Sequence, residues 1–232
     1  MGKSREEILT QAEEIKGTPA DLAEWRADWY EDVFSGQKVK EVLKELRDIL
    51  RDMPVLFTFR RKEEGGEKEI TLAEYEKLLE MVMETGTADL VDVELSAGEG
   101  ILRRAVVTAH DKGVKVIASS HDFEKTPEKD EIVARLCRMQ ELEADILKIA
   151  VMPKTRKDVL TLLEATEEMT RVYADRPVIT MSMSKLGAVS RVCGEVFGSA
   201  VTFGALGKAS APGQIEIGAL REMLLQLGPW YF

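Results

Sequence analysis

Short runs rich in β-branched and aromatic residues alternate along this chain with longer segments of helical periodicity, and such alternation specifies parallel strands joined by crossover helices. The runs Leu22–Asp28, Val55–Arg60, Leu90–Leu95, Val114–His121, Ile146–Val151, Val178–Met183 and Val201–Phe203 read as strands. Helices are expected near Lys38–Arg51, Leu72–Glu84, Glu99–Lys112, Glu128–Glu143, Arg156–Tyr173, Gly187–Val196 and Ile215–Leu227. Thr71 with Glu74 makes a capping-box pattern, and Thr126-Pro127 reads as an N-cap followed by a first-turn proline. No Ser/Gly linker or compositional break divides the chain, so residues 1–232 are expected to form a single β/α domain.

An open doubly wound sheet and a β/α barrel both fit this alternation. The first normally carries a glycine-rich phosphate turn after an early strand, and Gly65-Gly66, in a charged loop, lacks that spacing. The polar residues inside the strands favour the barrel. Residues two apart share a strand face, which groups Glu24, Arg26 and Asp28, then Thr58 and Arg60, Asp92 and Glu94, Ser119 and His121, Lys148 and Ala150, and Met181 and Met183. Nearly every strand thus presents a polar residue near its C-terminal end, where a barrel of the TIM type, (β/α)8, assembles its active site.

The net charge of -10 repels a phosphate backbone, so nucleic-acid binding is not expected. No stretch approaches the ~20 apolar residues of a membrane span, and the N-terminus lacks the apolar core of a signal peptide. The protein is expected to be soluble and cytoplasmic, without a membrane partner. Cys137 and Cys193 lack disulfide or zinc spacing and read as free thiols.

Lys148, within Ile146-Leu147-Lys148-Ile149-Ala150-Val151, is the most informative residue. A lysine on the inner face of a parallel strand is costly unless it is paired or its pKa falls, and a neutral amine can form a Schiff base with a carbonyl substrate. An ion pair with Asp92 or Glu94 explains it equally well at this stage. His121 ends the preceding strand, where it could move protons near neutral pH. Arg26, Arg60 and Arg191 offer forked geometry to a carboxylate, so an anionic substrate follows, although Arg26 and Arg60 could instead neutralise Glu24, Asp28 or Glu94. Met181 and Met183 read as shape-filling wall residues. No His/Asp/Glu spacing suggests a metal, and no cofactor is expected.

These residues resemble the type I 3-dehydroquinate dehydratases, in order and spacing, from Met1 to about Gln214. The resemblance rests on Glu24-Trp25-Arg26-Ala27-Asp28, Phe57-Thr58-Phe59-Arg60, Asp92-Val93-Glu94-Leu95, Ser120-His121-Asp122-Phe123 with Thr126-Pro127, Lys148-Ile149-Ala150, Met181-Ser182-Met183, Ser190-Arg191 and Ala209-Ser210-Ala211-Pro212-Gly213-Gln214. It implies a hydro-lyase of the shikimate route, in which Lys148 forms an imine with the C3 ketone of 3-dehydroquinate. His121 would remove a C2 proton and return one to the departing C1 hydroxyl, with Glu64 supporting the histidine. By the same resemblance Arg191 holds the substrate carboxylate of this cyclic hydroxy-ketone acid. Glu24, Arg26 and Arg60 bind ring hydroxyls, Met181 and Met183 line the pocket, and Ser210 and Gln214 reach in from a loop expected to order around ligand. A homodimer is carried as the assembly to be tested.

The family also has a first strand and short hairpin before the segment matching Met1-Gly2-Lys3, so the barrel is expected to lack them here. Two other readings stand beside this one: a class I aldolase-type barrel, which would share the lysine but use another proton-transfer residue, and an inactive barrel disabled by the absent strand.

Overall fold

The computed structural model describes residues 1–207 and 209–227. The elements begin with helix α1 (Arg5–Lys16), strand β1 (Ala23–Arg26), α2 (Gly36–Leu50), β2 (Val55–Thr58), α3 (Leu72–Glu84), β3 (Leu90–Glu94) and α4 (Glu99–Asp111). They continue with β4 (Lys115–Asp122), α5 (Lys129–Glu141), β5 (Ile146–Val151), α6 (Arg156–Glu168), β6 (Val178–Ser182), the short α7 (Ser184–Gly187) and α8 (Val189–Cys193), and α9 (Ile217–Leu227). The sheet order is β1-β2-β3-β4-β5-β6. The chain divides into two compact units, Met1–Ala118 and Ser119–Phe232, with the boundary inside β4. No helix among the described residues is long and apolar enough to cross a membrane.

In the first unit β1, β2 and β3 pair in parallel, with Glu24 opposite Leu56 and Arg26 opposite Thr58. Every residue of β2 is buried, as are Val39, Val42, Leu43 and Leu46 on one face of α2. That is the arrangement expected when amphipathic helices cover a parallel sheet. The Thr71–Glu74 capping box forms as expected. Helix α1 is an addition to the expected elements; Ser4 caps it, accepting from the Glu7 amide, and Ile8 and Ala12 are buried one turn apart. Ser4 three residues before Glu7 and that four-residue apolar spacing are its sequence signals.

In the second unit β5 and β6 pair in parallel, with Lys148 opposite Ile179 and Ala150 opposite Met181. Three expectations are corrected here. Val201–Phe203 is not a strand. Beyond the single bridge of Ser199 to Val178, the Ser199 hydroxyl accepts the Thr180 amide at 3.0 Å, so a side chain takes a donor that a ladder would have used. The expected helix Gly187–Val196 is broken into α7, α8 and a 3-10 turn, Gly194–Phe197. The break follows from Ser190, whose hydroxyl donates to Gly187 O at 2.7 Å and accepts from the Ser182 amide at 2.9 Å. Thr126 does not cap α5, which starts after Glu128; its hydroxyl donates to Met152 O at 3.1 Å and ties the loop to the end of β5.

Candidate active site

The three strands of the first unit are shorter than expected. A 3-10 turn, Ala27–Trp29, follows β1 and carries Asp28 out of the strand; Arg60 and Arg61 lie just past β2. Asp28 is fully buried and organises the turn: its carboxylate accepts both Arg26 Nε and Nη2 at 2.8 Å, the Arg60 amide at 3.4 Å and the Glu67 amide at 3.1 Å. Glu24 accepts from the Thr58 hydroxyl at 2.8 Å across β1 and β2.

Arg60, 3 % exposed, donates to Glu94 at 2.8 Å and Asp92 at 2.9 Å on β3, and lies 3.6 Å from Glu64. Burial alone would lower the Arg60 pKa, but Asp92, Glu94 and Glu64 outweigh burial and raise it. The expectation that arginines neutralise strand carboxylates therefore holds for both Arg26 and Arg60.

Glu64, 5 % exposed, closes the 3-10 turn Lys62–Glu64, which ends at Gly65 in the left-handed region at φ 80°. Desolvation, then the neighbouring Glu94 charge, push its carboxyl up to about 7, against the opposing pull of Arg60 and a hydrogen bond from Ser96. Gly66 explains the glycine pair without any phosphate. A Cβ there would stand 1.8 Å from Arg60 O, so only glycine lets the returning chain pass against the backbone that carries Arg60.

The second unit holds the other expected residues. His121 is the penultimate residue of β4, half-buried, and β5 is β4's neighbour in the sheet order. Lys148 is 4 % exposed in the middle of β5, its Nζ 4.6 Å from the centre of the Phe203 ring. A cation over a ring face is favourable, and the ring shields the amine from water. Sequence reasoning misses Phe203 as a site residue because its segment has the composition of a strand. Met181 and Met183 are buried at the end of β6.

Arg191, 1 % exposed on α8, has only neutral partners among the described residues. Nη1 lies 3.7 Å from Met181 Sδ and donates to Phe203 O at 3.4 Å, Nη2 donates to Pro212 O at 3.4 Å, and Nε has no acceptor. Burial pushes this guanidinium down to about 10. A desolvated cation with an unused donor is a site prepared for an anion. Its position is set by Ser190, bonded to Ser182 and Gly187, and by Gly187, where a Cβ would come within 2.3 Å of Ser182 O.

Ser210 and Gln214 are half-buried and bonded to each other: Gln214 Oε1 accepts the Ser210 amide at 2.6 Å, and Gln214 Nε2 donates to Ser210 Oγ at 2.9 Å. The intervening Pro212 O accepts both Arg191 Nη2 and the Ser184 amide, which docks the loop on the guanidinium. Among the described residues no cluster of His, Cys, Asp and Glu could hold a metal ion.

A profile of the family described as type I 3-dehydroquinase matches residues 1–229. A 3-dehydroquinate dehydratase of Clostridioides difficile strain 630 is 55 % identical over 224 residues, covering 97 % of this chain and 88 % of that protein. One from Salmonella paratyphi B is 50 % identical, covering 97 % and 89 %. Among solved structures, the type I enzyme of Clostridium difficile with covalent modified comenic acid superimposes with TM-score 0.95 at 55 % identity, over 97 % of this chain and 89 % of that one. The 3-dehydroquinate dehydratase of Geobacillus kaustophilus gives TM-score 0.96 at 39 % identity, over 100 % and 90 %. The α/β barrel-type fold expected from the strand pattern is the fold these structures share with this chain.

Proposed function

The chain belongs to the type I 3-dehydroquinase family, and we propose that it dehydrates 3-dehydroquinate to 3-dehydroshikimate through an imine on Lys148. The observation that carries this reading is the placement of the Lys148 amine, buried at mid-strand beside an aromatic face, where an imine would form away from bulk water. The covalently modified ligand in the Clostridium difficile relative fits a family that reacts covalently with its ligands.

In the reaction the Lys148 amine adds to the C3 carbonyl and water leaves as the iminium forms. His121 takes a proton from C2, and the electrons move into the iminium. Deprotonation beside a neutral ketone is slow; the iminium cation places positive charge where negative charge develops. His121 then protonates the C1 hydroxyl as it departs, and hydrolysis of the imine returns the free amine. Glu64 supports the histidine as an ionised carboxylate. Arg191 receives the substrate carboxylate, filling the donor that has no protein acceptor. Glu24, Arg26 and Arg60 take ring hydroxyls from positions fixed by Thr58, Asp28 and the β3 carboxylates. Ser210 and Gln214 exchange their mutual hydrogen bonds for ligand as the loop orders over it.

The family match spans both compact units, which supports one barrel domain, and we assign the enzyme to the cytoplasm as a homodimer. Sedimentation of the purified chain tests the dimer. The catalytic reading is tested by adding borohydride with 3-dehydroquinate. Irreversible loss of activity with a ligand-derived mass on the Lys148 peptide is expected, alongside ultraviolet detection of the conjugated enone. Labelling of another lysine, or normal turnover by Lys148→Ala, would overturn it.

A further inference from the structure

Arg61 and Ser96 belong to none of the roles above, yet both are wired to Glu64. Arg61, 5 % exposed, clamps Glu94 through its amide at 2.9 Å and its Nε at 2.6 Å. Its Nη2 donates to Ser96 Oγ at 2.7 Å, and the Ser96 hydroxyl in turn donates to Glu64 Oε1.

The polarity of this chain follows from the donor inventory. A guanidinium can only donate, so Ser96 Oγ must accept from Arg61, and the single hydroxyl proton is left to point at Glu64. That arrangement suits a carboxylate and leaves the hydroxyl proton without this acceptor when Glu64 is protonated at the bonded oxygen. Arg61 acts a second time through charge. Glu64, Asp92 and Glu94 meet Arg60 and Arg61 in one buried cluster, so the cluster holds one more carboxylate than guanidinium. Of the groups facing Glu64 in this unit, Arg60 attracts its charge, while Glu94 and Asp92 repel it. Without Arg61, Glu94 would keep its bond from Arg60 but would bear more of its charge on Glu64. Glu63, 3.9 Å from Arg61, is exposed.

We infer that Arg61 and Ser96 are positioning residues that hold Glu64 as an oriented, ionised acceptor, Ser96 by its hydroxyl and Arg61 by orienting that hydroxyl and covering Glu94. This rests on the role given above to Glu64, and the test separates the two. The Glu64 carboxyl is followed by 13C NMR in protein labelled at glutamate, its resonance assigned by loss in Glu64→Gln, beside the pH dependence of kcat on 3-dehydroquinate. Ser96 is exposed and small, so Ser96→Ala should fold. Losing a hydrogen bond to a charged group should raise the Glu64 midpoint by about one pH unit, and the acid limb of kcat with it. Ser96→Thr, which keeps the hydroxyl, should restore both. Arg61→Gln should move them in the same direction. A Glu64 midpoint that rises while the acid limb stays fixed supports the wiring and overturns the role of Glu64 in the reaction. A Glu64 midpoint unchanged in Ser96→Ala overturns the inference, as does an acid limb that moves without it.

Discussion

Replacing Glu64 by glutamine should make the protein more stable at neutral and alkaline pH, although it removes a residue of the site. The Glu64 carboxyl titrates at an ordinary value of 4.5 in the unfolded chain and is pushed up to about 7 in the folded one, by desolvation first and the Glu94 charge second. A carboxyl that binds its proton more tightly when folded makes stability fall as pH rises. The stabilisation is complete below pH 4.5, and it is lost as pH climbs through about 7. A tenfold change in proton affinity is worth about 1.4 kcal/mol, so the ionised carboxylate costs the fold about 3 kcal/mol above pH 8. The glutamine amide never ionises. Urea unfolding at half-unit steps from pH 4.5 to 8.5 should show the stability of Glu64→Gln minus that of the parent growing by about 3 kcal/mol. At about 2–4 °C per kcal/mol for a chain of this size, the melting-temperature difference should widen by about 6–12 °C across that range. Any pH-independent cost of altered contacts to Ser96 and Arg60 shifts the whole curve and leaves its slope unchanged. A flat difference would refute the reasoning, because it would mean that burial and Glu94 do not burden this carboxylate.

Arg191→Met should raise KM for 3-dehydroquinate at least tenfold, yet leave the unliganded protein as stable as the parent or more so, since the guanidinium is buried among neutral partners; a clear loss of unliganded stability would contradict that picture. Gly66→Ala should cost about 1–3 kcal/mol or more and disturb Arg60, because the added methyl meets a backbone oxygen rather than a yielding side chain; wild-type melting and activity would refute it. Gln214→Ala should raise KM more than it lowers kcat, and the opposite split would assign Gln214 to the chemistry. Turnover should survive exhaustive chelation, and a loss restored by a divalent ion would show that a metal is needed.

The sequence by itself determined the bodies of six strands and which of their residues share a face. Lys148, Asp92, Glu94 and Met181 are legible from period-two spacing, and the strand bodies and capping box at Thr71 from local pattern, because these depend on neighbours within a few residues. The order and spacing of the site segments, taken together, also bring the family into view. Tertiary structure decided what each charge does. Arg26, Arg60 and Arg191 look alike in sequence, yet two are neutralised by carboxylates and one is buried with an unused donor, since the difference lies in partners contributed by other elements. Arg61 and Ser96 give no sequence signal, being polar residues in turns whose meaning comes from Glu64 and Glu94, supplied by segments about 30 residues apart. Gly66 and Phe203 escape sequence reasoning for the same cause: a close approach of backbones and a ring beneath an amine are facts of packing, and packing joins residues that local pattern cannot relate.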